Sequence, residues 1–479
     1  MLKRLLLLFF LIMSSCSLLS QVPDSLRVGI HQVQNEFYAN RPPENYQLSI
    51  KDTKIPSRYK PSATRTLRRK VLGWHPYWAS SSAYLSYDYS ALSHIAYFSY
   101  EVDTATGGYS TIHDWNTTPI INYAHQKGTK VLLTVTNFGS SGNTKILSDT
   151  LKQQVLISTL ISLLKSRNGD GVNFDLESVN SSQRLNLVKF ITRAVSLIKA
   201  ELPFSEISLA TPAVDWSGSW DIKALSEICD YMIVMGYDYY WSGSPTAGPV
   251  APLEGETYNV SRTVNTYMNT GVNSEKLLLG VPWYGYDWPV VSNFRKAGAT
   301  GSATARIYSA AKQLASTNGN IFDQTTKVPW VKYTSSSLWR QLWYDDTLSL
   351  SMKYNLVNSL NLGGIGIWAL SYDGGTTEIW RNIIKSFSFP DSGKNIIINI
   401  YPNPVHGTSR IEFYLASKEY VTLKIFDLIG KEREVLVNGE LDAGYHSEEF
   451  NSIGYGQGLY LCVLQTKKIK SIQTIMVIH

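Results

Sequence analysis

Asp170-Gly171-Val172-Asn173-Phe174-Asp175-Leu176-Glu177 is the stretch from which the rest of this chain can be read. Taken as a β-strand, it alternates faces with period two. Val172, Phe174 and Leu176 then share one face, and Asn173, Asp175 and Glu177 line the other. Acids in a row on one strand face are costly. Like charges repel, and a charge withdrawn from water is unfavourable unless something compensates it. Such a row is useful where one carboxyl must stay protonated while its neighbour ionises, the division of labour in a glycosidase.

On either side of this run, short β-branched and aromatic runs alternate with longer helical patterns. Strands are predicted at 71–77, 94–101, 130–137, 171–177, 207–211, 231–237, 276–283 and 364–370. Helical segments fall between most of them, at 117–127, 151–166, 182–202 and 351–360. Eight successive βα units predict an α/β fold, a (β/α)8 TIM barrel over residues 71–388. The strands are nearly continuous apolar runs, as parallel strands buried on both faces should be. The gap between the seventh and eighth strands is far longer than a βα loop needs. Residues 288–346 are therefore expected to form a small α+β insertion walling one side of a cleft. Residues 396–479 alternate apolar and polar, with turns at Asn403-Pro404, Ile429-Gly430 and 454–458, which predicts a C-terminal antiparallel β-sandwich.

The N-terminal 70 residues read differently. Residues 1–20 form a secretory leader, with Lys3 and Arg4 before an apolar core at 5–13 that is too short to span a bilayer. Cleavage after Ser20 is expected, with lipidation at Cys16 as the alternative. Residues 21–70 are polar and carry Pro42-Pro43, Pro56 and Pro61. They predict an extended lead-in with one short helix near 26–37.

Composition narrows the function. A chain of 479 residues, 44% hydrophobic and 17% charged, is globular and holds more than one domain. Its 30 Tyr and 13 Trp supply flat amphipathic rings that stack on sugars as readily as they fill cores. The net charge of +6 is mild, and the cluster of Arg65, Arg68, Arg69 and Lys70 reads as solvated linker, so no nucleic-acid partner is expected. Three cysteines (Cys16, Cys229 and Cys462) form neither a disulfide framework nor a zinc spacing. No metal or cofactor is expected, and the chain is read as a monomer.

Residues at the C-terminal ends of barrel strands read as catalytic. Asn173, Asp175 and Glu177 fall there on the fourth strand, Met235, Tyr237 and Asp238 at the end of the sixth, and Trp368 on the eighth. Trp74 lies on the first strand, Phe98 on the second and Trp283 at the end of the seventh; with Asn173 and Met235 they are expected to bind substrate rather than act on it. Asp170 and Gly171 begin the fourth strand and read as structural, anchoring its turn.

The barrel resembles glycoside hydrolase family 18, whose fourth-strand signature is D-G-x-D-x-D-x-E. Here it stands as Asp170-Gly171-x-Asn173-x-Asp175-x-Glu177, with the family's M-x-Y-D as Met235, Tyr237 and Asp238, and its eighth-strand tryptophan as Trp368. The resemblance implies the fold and a substrate-assisted, retaining mechanism without a protein nucleophile. By it, Glu177 is the general acid, Asp175 orients the substrate's acetamido N–H, and Tyr237 bonds the acetamido oxygen. Asp238 binds the −1 sugar, and Trp368 floors its site. Asn173 replaces the middle acid of the signature. The third strand ends Thr136-Asn137-Phe138-Gly139 where family chitinases carry S-x-G-G. Both departures resemble the spore-wall and cortex-lytic branch of the family.

Residues 400–404 (Ile-Tyr-Pro-Asn-Pro), Gly458-Leu459-Tyr460 and a final basic strand resemble the C-terminal sorting domain of the type IX secretion system. That implies the secretion machinery as a partner and a secreted or cell-surface location. The expected substrate is a polysaccharide: chitin or chitooligosaccharide, cut at β-1,4 bonds of N-acetylglucosamine. Peptidoglycan, as a cell-wall glycan, and N-glycans are the alternatives. The rival from another class is a non-catalytic glycan-binding protein on the same fold.

Overall fold

Eight parallel strands close into a barrel. They are β1 (Lys70–Pro76), β2 (His94–Val102), β3 (Lys130–Phe138), β4 (Gly171–Glu177), β5 (Glu206–Pro212), β6 (Tyr231–Met235), β7 (Leu277–Pro282) and β8 (Gly364–Trp368). Each pairs in parallel with its sequence neighbour, and β1 pairs with both β2 and β8, which closes the ring. The computed structural model describes residues 28–39, 67–388, 396–467 and 469–479. The leader at 1–20, with Cys16, and most of the lead-in lie outside the described residues.

The register fixes the functional end. Thr136 lies beside Asp175 and Phe138 beside Glu177, so the acids emerge where β3 and β4 finish together. At the opposite end of β4, Asp170 Oδ2 accepts the Val131 N–H at 2.6 Å and pairs with His125 Nε2 at 2.7 Å. Gly171 follows with φ +153°, and a Cβ there would lie 1.9 Å from the Glu206 carbonyl oxygen. Only glycine lets β4 start this close to β5. Gly171→Ala is expected to destabilise the barrel by about 1–3 kcal/mol or more. Urea unfolding checks this, and an unchanged midpoint would contradict it.

Between β7 and β8 the chain builds a five-stranded antiparallel sheet, in the order Thr304–Ile307, Tyr284–Val290, Leu338–Tyr344, Val328–Ser335, Ile321–Asp323. The helix Tyr308–Asn318 packs on it through Ala311 and Ala315 against Val331, Leu342 and Tyr344. The sheet begins at Tyr284, ahead of the expected start at 288, because β7 ends at Pro282 and the chain turns at once into a new strand. Asp287 is fully buried in it and accepts from Arg306, Arg340 and Tyr333. Where the insertion returns to the barrel, Asp345 and Lys353 form an ion pair with both side chains fully buried.

The C-terminal unit places a three-stranded and a four-stranded antiparallel sheet around one core, which includes Ile411, Phe413, Leu423, Ile425 and Phe450. Cys229 and Cys462 are buried free thiols. No helix among the described residues is long and apolar enough to cross a membrane.

One further element bears on the site. The helix α1 (Ile30–Tyr38) lies far ahead of the barrel in sequence, yet its Ile30, His31, Gln34 and Asn35 are buried. Three of those four side chains are polar, so they need partners there.

Candidate active site

The carboxyls are set by strand ends. Asp175 is fully buried, and the Glu177 side chain is 12% exposed. Burial first, then the negative charges of Asp175 and Asp238, holds the Glu177 carboxyl well above the usual carboxylate range. Tyr237 and Asp238 follow β6 after Gly236, and Asp238 has φ +57°. This turn aims both side chains back over the barrel mouth. Burial and the same acids keep the Tyr237 phenol protonated. The Tyr284 hydroxyl donates to Asp238 Oδ1. Trp368, the last residue of β8, has Phe98 edge-on at 5.0 Å and Trp74 edge-on at 6.0 Å between ring centroids.

Asn173 does not point at a sugar site. It is fully buried; its Oδ1 accepts from Trp74 Nε1 at 2.9 Å, and its Nδ2 donates to Ser208 Oγ at 3.0 Å. The amide thus braces β1, β4 and β5 across the barrel interior. Trp283 is also fully buried, with Trp380 edge-on at 4.9 Å. Met235 lies on the cavity wall. The structure therefore gathers Asp175, Glu177, Tyr237, Asp238, Trp368, Phe98 and Trp74, while Asn173 braces the strands behind them, Trp283 packs on Trp380, and Asp170 and Gly171 sit at the far end of β4.

A cavity continues outward from Glu177, walled by Val179, Asp215, Trp216, Trp241 and Tyr258 among others. Asp215 accepts the N–H groups of Ser219 and Trp220, each at 2.9 Å, which shapes that loop. Neither Asp215 nor Trp216 was legible as a site residue, because the β5 loop carries no periodic pattern.

The residues least visible in the sequence are those of α1. His31 Nδ1 is hydrogen-bonded to Asp175 Oδ2 at 2.7 Å, and its Nε2 to Tyr237 Oη at 2.9 Å. Its ring stacks on Trp368 with centroids 3.7 Å apart and planes at 27°. Gln34 Oε1 accepts from both Trp368 Nε1 and Tyr372 Oη at 2.8 Å. The Ile30 N–H, at the helix N-terminus, donates to Asp238 Oδ2 at 2.8 Å. Gly29 lies close enough to Glu177 that a Cβ would fall 2.5 Å from Oε2.

His31, Asp175 and Glu177 also bring their ligand atoms within 4.8 Å of one another, as metal ligands would be. An ion about 2.0–2.2 Å from each ligand in tetrahedral geometry would hold two of them roughly 3.4 Å apart. His31 Nδ1 and Glu177 Oε1 are 3.4 Å apart, as that spacing asks, whereas the 2.7 Å between Nδ1 and Asp175 Oδ2 is a direct hydrogen bond.

The family model of the glycosyl hydrolases family 18 matches residues 71–373, and that of the secretion system C-terminal sorting domain matches residues 399–478. A cortical fragment-lytic enzyme of Bacillus anthracis is 25% identical over 319 residues, covering 63% of this chain and 70% of that protein. Human di-N-acetylchitobiase is 27% identical over 334 residues, covering 62% and 79%. Among solved structures, the family 18 chitinase of Cycas revoluta in complex with (GlcNAc)3 superposes with a TM-score of 0.60 at 20% identity, covering 67% of this chain and 99% of that one. A match running from the first barrel strand past the eighth, and taking in the acids that end β4, makes the chain a glycosidase that belongs to glycosyl hydrolase family 18.

Proposed function

We propose that the protein hydrolyses β-1,4 bonds at N-acetylglucosamine by substrate assistance, with retention of configuration. The carrying observation is Glu177: a carboxyl at the barrel mouth, held protonated by burial and by the charges of Asp175 and Asp238. A group that stays protonated at working pH can give its proton to a glycosidic oxygen. In this reading the substrate's acetamido carbonyl attacks C1. The C1–O bond breaks as Glu177 protonates the leaving oxygen, and an oxazolinium ion forms. Asp175 takes the acetamido N–H and offsets the positive charge. Tyr237 donates to the acetamido oxygen, and Trp368 lies under the ring. Water, deprotonated by Glu177, then opens the oxazolinium at C1 and restores the acetamide. Asp238 binds the sugar, and the aromatic walls at Trp216, Trp241 and Tyr258 suit sugar faces.

Chitooligosaccharides are the leading substrate class. A cell-wall glycan is the second reading. It is favoured by Asn173 in place of an acid and by the similarity to the cortical fragment-lytic enzyme. The sorting domain routes the enzyme to the cell exterior or surface.

The test is product analysis on chitooligosaccharides and peptidoglycan side by side, in the presence and absence of a thiazoline mimic of the oxazolinium. Release of N-acetylglucosamine-ended products, blocked by the thiazoline, is expected. Cleavage of a glucan lacking acetamido groups would overturn the mechanism. Binding without cleavage would favour the non-catalytic reading.

A further inference from the structure

We infer that α1 is an intramolecular inhibitor of this enzyme, and that His31 occupies the place of the oxazolinium ring. This rests on the substrate-assisted reading of the site. In an oxazolinium, a ring nitrogen and a ring oxygen flank one carbon of a flat five-membered ring. In imidazole, Nδ1 and Nε2 flank one carbon of a ring of the same size. His31 puts Nδ1 on Asp175 and Nε2 on Tyr237, the two groups assigned to the acetamido nitrogen and oxygen. It lies flat on Trp368, the residue assigned to the sugar floor.

The remaining contacts hold the helix as a plug. Gln34, one turn after His31, takes up the indole N–H of Trp368 and the Tyr372 hydroxyl with one oxygen. The helix N-terminus meets Asp238, which satisfies a backbone donor that the helix itself leaves open. Tyr77 Oη donates to the Asn35 carbonyl at 3.3 Å, and the Tyr38 ring lies 4.7 Å from that of Trp78. Substrate and helix cannot share the −1 position, so hydrolysis requires α1 to leave. Because the helix is tethered to the barrel, it competes at a high effective concentration. Cutting the tether would let it be diluted away.

The test compares the full chain with its His31→Ala, Gln34→Ala and doubly substituted forms, on chitooligosaccharides and for binding of the thiazoline. With the closed form at nine-tenths or more of the population, His31→Ala is expected to raise kcat/KM and thiazoline affinity about tenfold or more. Gln34→Ala should act in the same direction without altering any group next to the carboxylates. A synthetic peptide of residues 28–39 should inhibit the His31→Ala chain, and the same peptide with Ala at position 31 should not. Equal or lower activity and affinity in all variants would overturn the inference while leaving the proposed reaction standing. If no form cleaves any N-acetylglucosamine glycan, the proposed reaction fails, and amide exchange judges the helix by itself. Protection of 31–38 in the wild-type chain, lost in the double variant, supports the plug. Free exchange in both overturns it.

Discussion

Glu177→Gln should lower the turnover of chitooligosaccharides by about 10²–10⁴-fold, the usual contribution of a positioned general acid. Substrate binding should change little, because the amide keeps the side chain's size. The comparison is best made in the His31→Ala chain as well, so that any hold of α1 on the site does not mask the loss. Equal rates for the Glu and Gln forms would remove Glu177 from the mechanism. The same substitution carries a stability signature. The folded-state carboxyl is raised above its unfolded value. Between those two values the folded chain holds a proton that the unfolded chain has lost, so wild-type stability falls as pH rises through that window. Gln does not titrate. Glu177→Gln should therefore be more stable than wild type at neutral pH, and the difference should shrink as pH falls towards the ordinary glutamate range and level off below it. Denaturant unfolding at several pH values reads this directly.

Lys353→Met is expected to cost about 3–5 kcal/mol. Asp345 and Lys353 are both fully buried, and burial pushes the Asp345 carboxyl upward even with the ammonium beside it. Removing the lysine strands an acid in the interior, where it must take up a proton or unfold its surroundings. Replacing both residues with apolar ones of similar volume should recover most of the loss. Chemical unfolding of the single and double variants forms the measurement. A single variant as stable as wild type would show that the pair contributes nothing. The pair joins the insertion's exit to the helix Thr347–Ser359.

Barrel strands were legible because each is buried on both faces and so appears as an apolar run that polar loops interrupt. The acids of β4 stood out for the opposite reason, as polar residues in a run where apolar ones belong. Trp368 and the Tyr237–Asp238 pair were found through a family pattern rather than through periodicity. The start of the insertion was blurred, since Trp283, Tyr284 and Tyr286 are apolar on both sides of the turn between β7 and the new sheet. The three-residue strand Tyr109–Thr111, which adds to β2 in antiparallel fashion, is too short to leave a pattern. The face of α1 was the least legible of all. Helical amphipathicity is sought as an apolar stripe, yet this helix buries His31, Gln34 and Asn35. The partners of His31 and Gln34 (Asp175, Tyr237, Trp368 and Tyr372) lie more than a hundred residues away, and nothing local marks the pairing.

The amide brace at position 173 has a consequence for how this chain could change. Trp74 and Ser208 already use both ends of Asn173. An acid substituted there would meet an indole and a hydroxyl but no cation, two residues before Asp175 on the same strand face. It would take a proton to avoid the charge and become a third titrating group at the barrel mouth, able to exchange that proton with its neighbour. The neighbours of Asn173 are fitted to an amide, so Asn173→Asp would alter proton traffic and packing in one step.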